Sequence, residues 1–159
     1  MSTPPPIQFL QPGDCLLYKA TGLYGWIIGL KTWSMVTHVE IYIGEGQSVA
    51  SRDGLGVAIY PLRMAQLSHV LRPHAPIDLH AAMRWFETVR GQKYDWLGLL
   101  RFAWRSKVVS DLKDNRQFCS ELATRWYRAG GLDPFNGGDA DAIAPCQFLL
   151  SNSFTIYTI

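Results

Sequence analysis

The sequence predicts an α+β fold, and two local patterns carry that prediction. Residues 37–44 alternate apolar and polar side chains, which is the pattern of a half-buried β-strand. Residues 117–131 instead place Phe118, Leu122 and Trp126 at fourfold spacing between a polar loop and a Gly-Gly pair, which is the pattern of an amphipathic helix. We therefore expect a small antiparallel sheet packed against this helix.

Turn signals and side-chain periodicity predict the other elements. A Glu45-Gly46 turn after the first pattern predicts a hairpin, with the second strand at about residues 48–52. Further strands are expected at residues 15–18, 57–61 and 154–157. Further helices are expected around residues 24–30, at 79–90 and from 94 to about 104.

Length and composition favour one domain. The chain has 159 residues, of which 48% are hydrophobic, so it is long enough to bury one core. The Pro-rich residues 1–8 are predicted to form a flexible tail, and residues 9–159 show no repeat, linker or second domain. The net charge is only +2 and there is no long basic run, so we expect no nucleic-acid partner.

The amino-terminal residues do not resemble a targeting signal. Residues 1–6 have neither a positive charge nor an apolar core, unlike a signal peptide. The longest apolar stretch, residues 23–30, contains two glycines and is too short to span a bilayer. We therefore expect no transmembrane segment and synthesis in the cytoplasm without export by the general secretory route.

The number and spacing of the cysteines favour free thiols over disulfide bonds or a structural zinc site. Cys15, Cys119 and Cys146 are odd in number and contain no CxxC pair, which argues against a disulfide framework and a structural zinc site. Cys119 falls in the first turn of the predicted helix, where free N–H groups and the helix dipole favour a thiolate. Cys119 is therefore a candidate nucleophile, and an ordinary buried cysteine is the alternative.

A cysteine nucleophile needs a rigidly held base, and His38 is the best placed histidine. It begins a strand of β-branched and apolar neighbours, whereas His69, His74 and His80 lie among Pro, Arg and Ala residues. The alternative for His38 is a hydrogen-bonded histidine at the end of a strand.

Three residues are candidates to orient the imidazole of His38. Glu40 is two residues away and so lies on the same strand face. With a two-residue turn, the hairpin places Ser51 opposite Glu40 and Asp53 opposite His38; a four-residue turn also leaves Ser51 on that face. For each of the three, a solvated surface role is the alternative.

These segments, in this order, resemble the permuted NlpC-like (papain-like) cysteine peptidases and amidases, particularly their YiiX/YebB-like branch. In that group the histidine strand precedes the cysteine helix, as His38 precedes Cys119 here. The resemblance covers roughly residues 11–145. Its motifs are Pro12-Gly13-Asp14, Thr37-His38-Val39-Glu40-Ile41-Tyr42-Ile43-Gly44, Tyr94-Asp95 and Phe118-Cys119-Ser120-Glu121-Leu122.

The resemblance implies a papain-like fold with circularly permuted topology and a cysteine hydrolase that attacks an amide-type bond. It implies Cys119 as nucleophile and His38 as base, and the family's third polar residue falls on Ser51, with Glu40 as a substitute. The residues that it implies for substrate binding are Tyr42, Tyr94 and Ser120.

The resemblance also implies which partners to expect and which alternative functions compete with a cysteine hydrolase. A peptide or amide substrate is expected, with peptidoglycan favoured by analogy, and with virion or tail association or delivery to the cell wall by another route as the accompanying context. An acyltransferase or thioesterase acting on lipids is one rival, and a non-catalytic structural or virion module is another. No cofactor is expected, and the sequence lacks clustered ligands for a metal hydrolase.

Overall fold

The computed structural model describes residues 7–19, 35–94, 116–117 and 119–159. Two α-helices and eight β-strands lie in these ranges, together with short 3-10 helices at Ile7–Phe9, Ala140–Ala142 and Pro145–Leu150. The elements are β1 (Cys15–Lys19), β2 (Val36–Gly44), β3 (Gln47–Arg52), β4 (Gly56–Pro61), β5 (Leu67–Pro73), α1 (Leu79–Val89), β6 (Lys93–Tyr94), β7 (Arg116–Gln117), α2 (Cys119–Ala129) and β8 (Phe154–Thr158).

Six strands form one antiparallel sheet in the order β4-β3-β2-β1-β5-β8, and β6 pairs with β7 in parallel. The α+β prediction is confirmed, as are the strands near residues 15, 37, 48, 57 and 154 and the helices at residues 79 and 119. The prediction missed β5, which lies inside the sheet between β1 and β8. The helix predicted at residues 24–30, and all but the first residue of the one predicted from 94, fall outside the described residues.

Helix α2 packs on β2 and β3 and against α1. Trp126 and Tyr127 of this helix are fully buried in the main core cluster. The Tyr127 hydroxyl donates a hydrogen bond of 2.8 Å to the carbonyl of Gly13, in the turn that precedes β1. This bond and the apolar contacts fix the helix, and with it Cys119, against the sheet.

The β2–β3 hairpin contains the one register error of the sequence prediction. Its two-residue turn is confirmed, with φ of 52° at Glu45 and 68° at Gly46. A bulge between Tyr42 and Gly44, however, shifts the pairing by one residue. Because side chains alternate between faces, a shift of one residue moves Ser51 to the other face.

In the observed register, Ile41 pairs with Val49 and Tyr42 pairs with Ser48. The predicted positions of Ser51 opposite Glu40 and of Asp53 opposite His38 are therefore wrong by one residue. Ser48 takes the place on the Glu40 face that the prediction gave to Ser51.

Within the ranges that the structure describes, the helices are too short and too polar for a membrane-spanning segment.

Candidate active site

Cys119 is the first residue of α2, and its side chain is buried with 3% exposure. Its thiol is hydrogen-bonded to the imidazole of His38. The first turn of a helix has N–H groups without intrahelical acceptors, so it presents positive potential to an anion at this position. The structure therefore brings Cys119 and His38 into contact, the two residues that the sequence predicted as nucleophile and base.

His38 lies near the start of β2, where it pairs with Tyr18 of β1 beside a ladder irregularity at Tyr18 and Lys19. Irregularities of this kind re-aim nearby side chains. Its Nε2 lies 3.0 Å from Oε1 of Glu40. Because Glu40 takes Nε2, Nδ1 is the ring nitrogen left for the Cys119 thiol.

Glu40 is fully buried, and its carboxylate is held by several donors at once. Ser48 donates its hydroxyl to Oε2 at 2.5 Å. Arg52 bridges both oxygens, from Nε at 2.9 Å and from Nη2 at 3.0 Å. Arg63 donates from Nη2 to Oε1 at 2.8 Å. A carboxylate so bonded is fixed in position and kept ionised.

The electrostatics of His38 and Glu40 follow from these contacts. Burial alone would lower the pKa of His38, but the adjacent Cys119 and Glu40 raise it to about 9. Burial alone would raise the pKa of Glu40, but hydrogen bonds from His38, Arg52 and Ser48 hold it well below its usual range. At neutral pH the imidazole is therefore an imidazolium between two groups that favour its positive charge.

The other predicted site residues lie in different surroundings. Ser51 is buried and faces the other side of the sheet, and Asp53 is exposed in the turn after β3. Ser120 donates its hydroxyl to the carbonyl of Ile143, which ties the helix to the loop before the last 3-10 helix.

Of the two tyrosines predicted to bind substrate, Tyr42 is described fully. It is buried with 5% exposure in a second apolar cluster, and its hydroxyl accepts a hydrogen bond of 3.3 Å from the Gly46 N–H. These contacts give it a structural place in the hairpin. The backbone of Tyr94 lies in β6, and its side chain falls outside the description.

Sequence reasoning missed Ser48, Arg52 and Arg63. Continuing the observed register places Arg52 across from His38, so the hairpin bulge hid both Ser48 and Arg52. Arg63 follows β4 in an irregular segment, and no spacing rule connects it to Glu40.

Comparison with known proteins bears on the fold. No protein-family model and no curated protein matches the chain. Among solved structures, the metalloprotein YiiX of Escherichia coli O157:H7, of the family DUF1105, superposes with a TM-score of 0.65 at 16% identity. The match covers 92% of this chain and 96% of that chain. The chain has a YiiX-like fold.

YiiX is described as a metalloprotein, and a metal site needs several ligand side chains close together. In residues 7–19, 35–94, 116–117 and 119–159, no three His, Cys, Asp or Glu side chains are grouped as metal ligands. Glu40, the buried acid of the site, has guanidinium groups from Arg52 and Arg63 on its oxygens, where a cation would be repelled. The described side chains therefore do not fit a metal.

Proposed function

We propose that this protein is a cysteine hydrolase that attacks an amide-type bond, with Cys119 as nucleophile, His38 as base and Glu40 as the residue that orients His38. One observation carries the proposal: the thiol, the imidazole and a buried carboxylate are hydrogen-bonded in series. This is the arrangement that nucleophilic catalysis by a thiol requires. The YiiX-like fold lends weak support to a hydrolase.

The reactive form is a thiolate–imidazolium pair, in which Nδ1 of His38 carries the proton that the Cys119 thiol has lost. Glu40 stabilises the imidazolium through Nε2, because its own ionised state is secured by Arg52 and Ser48. A fixed carboxylate also holds the ring in one orientation, which keeps Nδ1 directed at the sulfur.

The thiolate then attacks the carbonyl carbon, and a carbon–sulfur bond forms as the carbonyl oxygen becomes an oxyanion. N–H groups of the first turn of α2 are suited to stabilise that charge. As the carbon–nitrogen bond breaks, the imidazolium of His38 gives its proton to the leaving amine. Water next attacks the thioester, its proton passes to His38, and the acid is released with the thiol restored.

The permuted papain-like topology belongs to this proposal as well. The histidine strand β2 precedes the cysteine helix α2 in the chain, as the resemblance implies. Peptidoglycan as the substrate and a virion or tail assembly as a partner stay predictions from that resemblance.

An acyl-enzyme assay tests the proposal without knowledge of the natural substrate. With p-nitrophenyl acetate, we expect a stoichiometric burst of nitrophenol and an acetyl group on the Cys119 peptide in mass spectra. Cys119→Ala should abolish the burst, and His38→Gln should slow it by on the order of 10³-fold.

Cys146→Ala is the matched control, since it removes a more exposed thiol and should leave the burst unchanged. A burst that survives Cys119→Ala, or an acetyl group on Cys146 alone, would overturn the proposal.

A further inference from the structure

Arg63 lies beside the candidate site and has N–H donors that no described residue accepts. Its side chain is 43% exposed, whereas the side chains of Arg52 and His38 are 13% and 19% exposed. In the part of the chain that the structure describes, its one hydrogen bond goes to Oε1 of Glu40. A guanidinium carries five N–H donors, so most of those on Arg63 are available to a ligand.

Oε1 of Glu40 is also crowded. It receives His38 at 3.0 Å, Arg52 at 2.9 Å and Arg63 at 2.8 Å, although an oxygen has two lone pairs. Arg63 is the most exposed of these three donors and so the one that can shift toward solvent without disturbing the others.

Tyr18 supplies a second, independent observation. It pairs with His38 across the strands, its ring lies 5.9 Å from that imidazole, and it is buried with 3% exposure. Its hydroxyl has no hydrogen-bond partner among the described residues. A buried hydroxyl without a partner is unfavourable, and a ligand that accepts its hydrogen bond removes that penalty.

The Arg63 guanidinium lies over the ring that carries this hydroxyl. The Arg63 Cζ lies 5.3 Å from the centre of the Tyr18 ring. Burial and the nearby Glu40 carboxylate raise the pKa of Tyr18, so the phenol keeps its proton and acts as a donor. The Arg63 guanidinium and the Tyr18 hydroxyl are therefore two hydrogen-bond donors near His38 and Glu40 that can still donate to a ligand.

The charge of this cluster indicates the sign and size of the ligand. Arg52 and Arg63 carry two positive charges around the single negative charge of Glu40. The thiolate–imidazolium pair adds no net charge. One positive charge is left over, which a monoanion such as a carboxylate neutralises.

We propose that Arg63 and the Tyr18 hydroxyl form a subsite for a carboxylate group of the substrate, next to the Cys119–His38–Glu40 series. The inference rests on the proposed function and narrows its substrate to acyl compounds that carry a carboxylate near the scissile bond. Arg63 lies over the Tyr18 ring, so a carboxylate that the guanidinium binds is close to the side chain that carries the hydroxyl. Specificity then comes from the guanidinium fork, which matches the two oxygens of a carboxylate.

Matched alkylating probes test the subsite. The chloroacetamides of β-alanine and of 4-aminobutyrate carry a carboxylate at two distances from the warhead, and their primary carboxamides are neutral controls of the same length. The measured quantity is the alkylation rate of Cys119 with each carboxylate divided by the rate with its carboxamide, after division by the same ratio on N-acetylcysteine. We expect a normalised ratio of about 5–10 at low salt for at least one spacer.

Arg63→Gln should bring this ratio to about 1, Arg63→Lys should leave an intermediate value, and Tyr18→Phe should lower it about 2-fold. Arg63→Gln also removes a donor from Glu40, but this affects both probes of a pair equally and cancels in the ratio. Arg90→Gln is the matched control, since Arg90 is a half-exposed arginine paired with Glu87 on the surface, and the ratio should not change.

A ratio near 1 with both spacers in the unmodified protein, or a preference that survives Arg63→Gln, would overturn the subsite. The ratio needs no turnover, so its failure is distinguishable from failure of the hydrolase proposal. A charge preference without an acyl-enzyme burst would remove the hydrolase and leave an anion-binding site.

Discussion

Asp14 and Glu40 are both buried carboxylates held by arginine, yet their surroundings differ in one respect. Asp14 accepts hydrogen bonds from the Gln11 N–H at 2.8 Å and from Arg72, whose Nε and Nη2 lie at 3.0 and 2.8 Å. Glu40 has a similar set of donors, and in addition a histidine that contacts a thiol. Among the described residues, Asp14 thus has only donors whose charge is fixed, whereas Glu40 has one that titrates.

This difference separates a structural ion pair from a candidate catalytic one. Arg72 also donates to the carbonyl of Phe9, so the Asp14 cluster fastens the start of the described chain to β5. The Glu40 cluster instead fixes the charge and orientation of His38. A buried acid with arginine partners indicates a fixed structure in both places. Only the titratable neighbour of Glu40 indicates a catalytic role.

The largest effect is expected from neutral isosteres of the two acids. Asp14→Asn and Glu40→Gln each remove a buried counter-charge from partly exposed guanidinium groups, so each should lower the free energy of unfolding by about 3 kcal/mol. Only Glu40→Gln should also lower the reactivity of Cys119, by on the order of 10²-fold per folded molecule. Urea denaturation and the acyl-enzyme burst measure the two quantities separately.

The comparison fails if Asp14→Asn reduces the burst of the folded protein as strongly as Glu40→Gln. In that case the loss would reflect the general stability of the sheet and not the orientation of His38.

The next effect concerns the titration of His38. Its pKa of about 9 lies above the usual value near 6.5, so its contribution to stability is fully present below about pH 6.5 and is lost as the pH rises through 9. NMR of the imidazole Cε1–H should show this titration, and Cys119→Ala and Glu40→Gln should each lower it by about 1 unit or more.

A titration of His38 near 6.5, unmoved by either substitution, would mean that neither the thiol nor the carboxylate acts on the imidazole.

The smallest effect distinguishes the two serines of β3. Ser48→Ala removes one hydrogen bond from the Glu40 carboxylate and should reduce the acyl-enzyme burst rate about 3–10-fold. Ser51→Ala acts on the other face of the sheet and should leave that rate within about 2-fold. A larger loss of rate in Ser51→Ala than in Ser48→Ala would instead support the register that the sequence predicted.

These serines also show what the sequence could predict. The strand pattern of residues 37–44 was strong enough to place His38 and Glu40 on one face, and the apolar spacing was strong enough to begin a helix at Cys119. The turn at Glu45 and Gly46 was also readable, because Gly at a turn favours positive φ.

What the sequence could not predict depended on non-local structure. A single bulge near Gly44 places each side chain of β3 on the opposite face of the sheet from the predicted one, and nothing in the composition of the hairpin indicates this bulge. Strand β5 was missed because His69 and Arg72 made it look like surface, whereas pairing with β1 and β8 supplies its burial. Arg63 reaches Glu40 from a segment without periodicity.

Competition between two thiols of the same molecule tests the central claim most directly. Cys119 is buried with 3% exposure, whereas Cys146 is partly exposed, so accessibility alone makes Cys146 the faster target of iodoacetamide. If His38 and Glu40 activate Cys119, limited labelling at pH 6 followed by peptide mass spectrometry should find Cys119 modified first, by about 10-fold or more. His38→Gln should reverse the order. Preferential labelling of Cys146 in the unmodified protein would contradict the account.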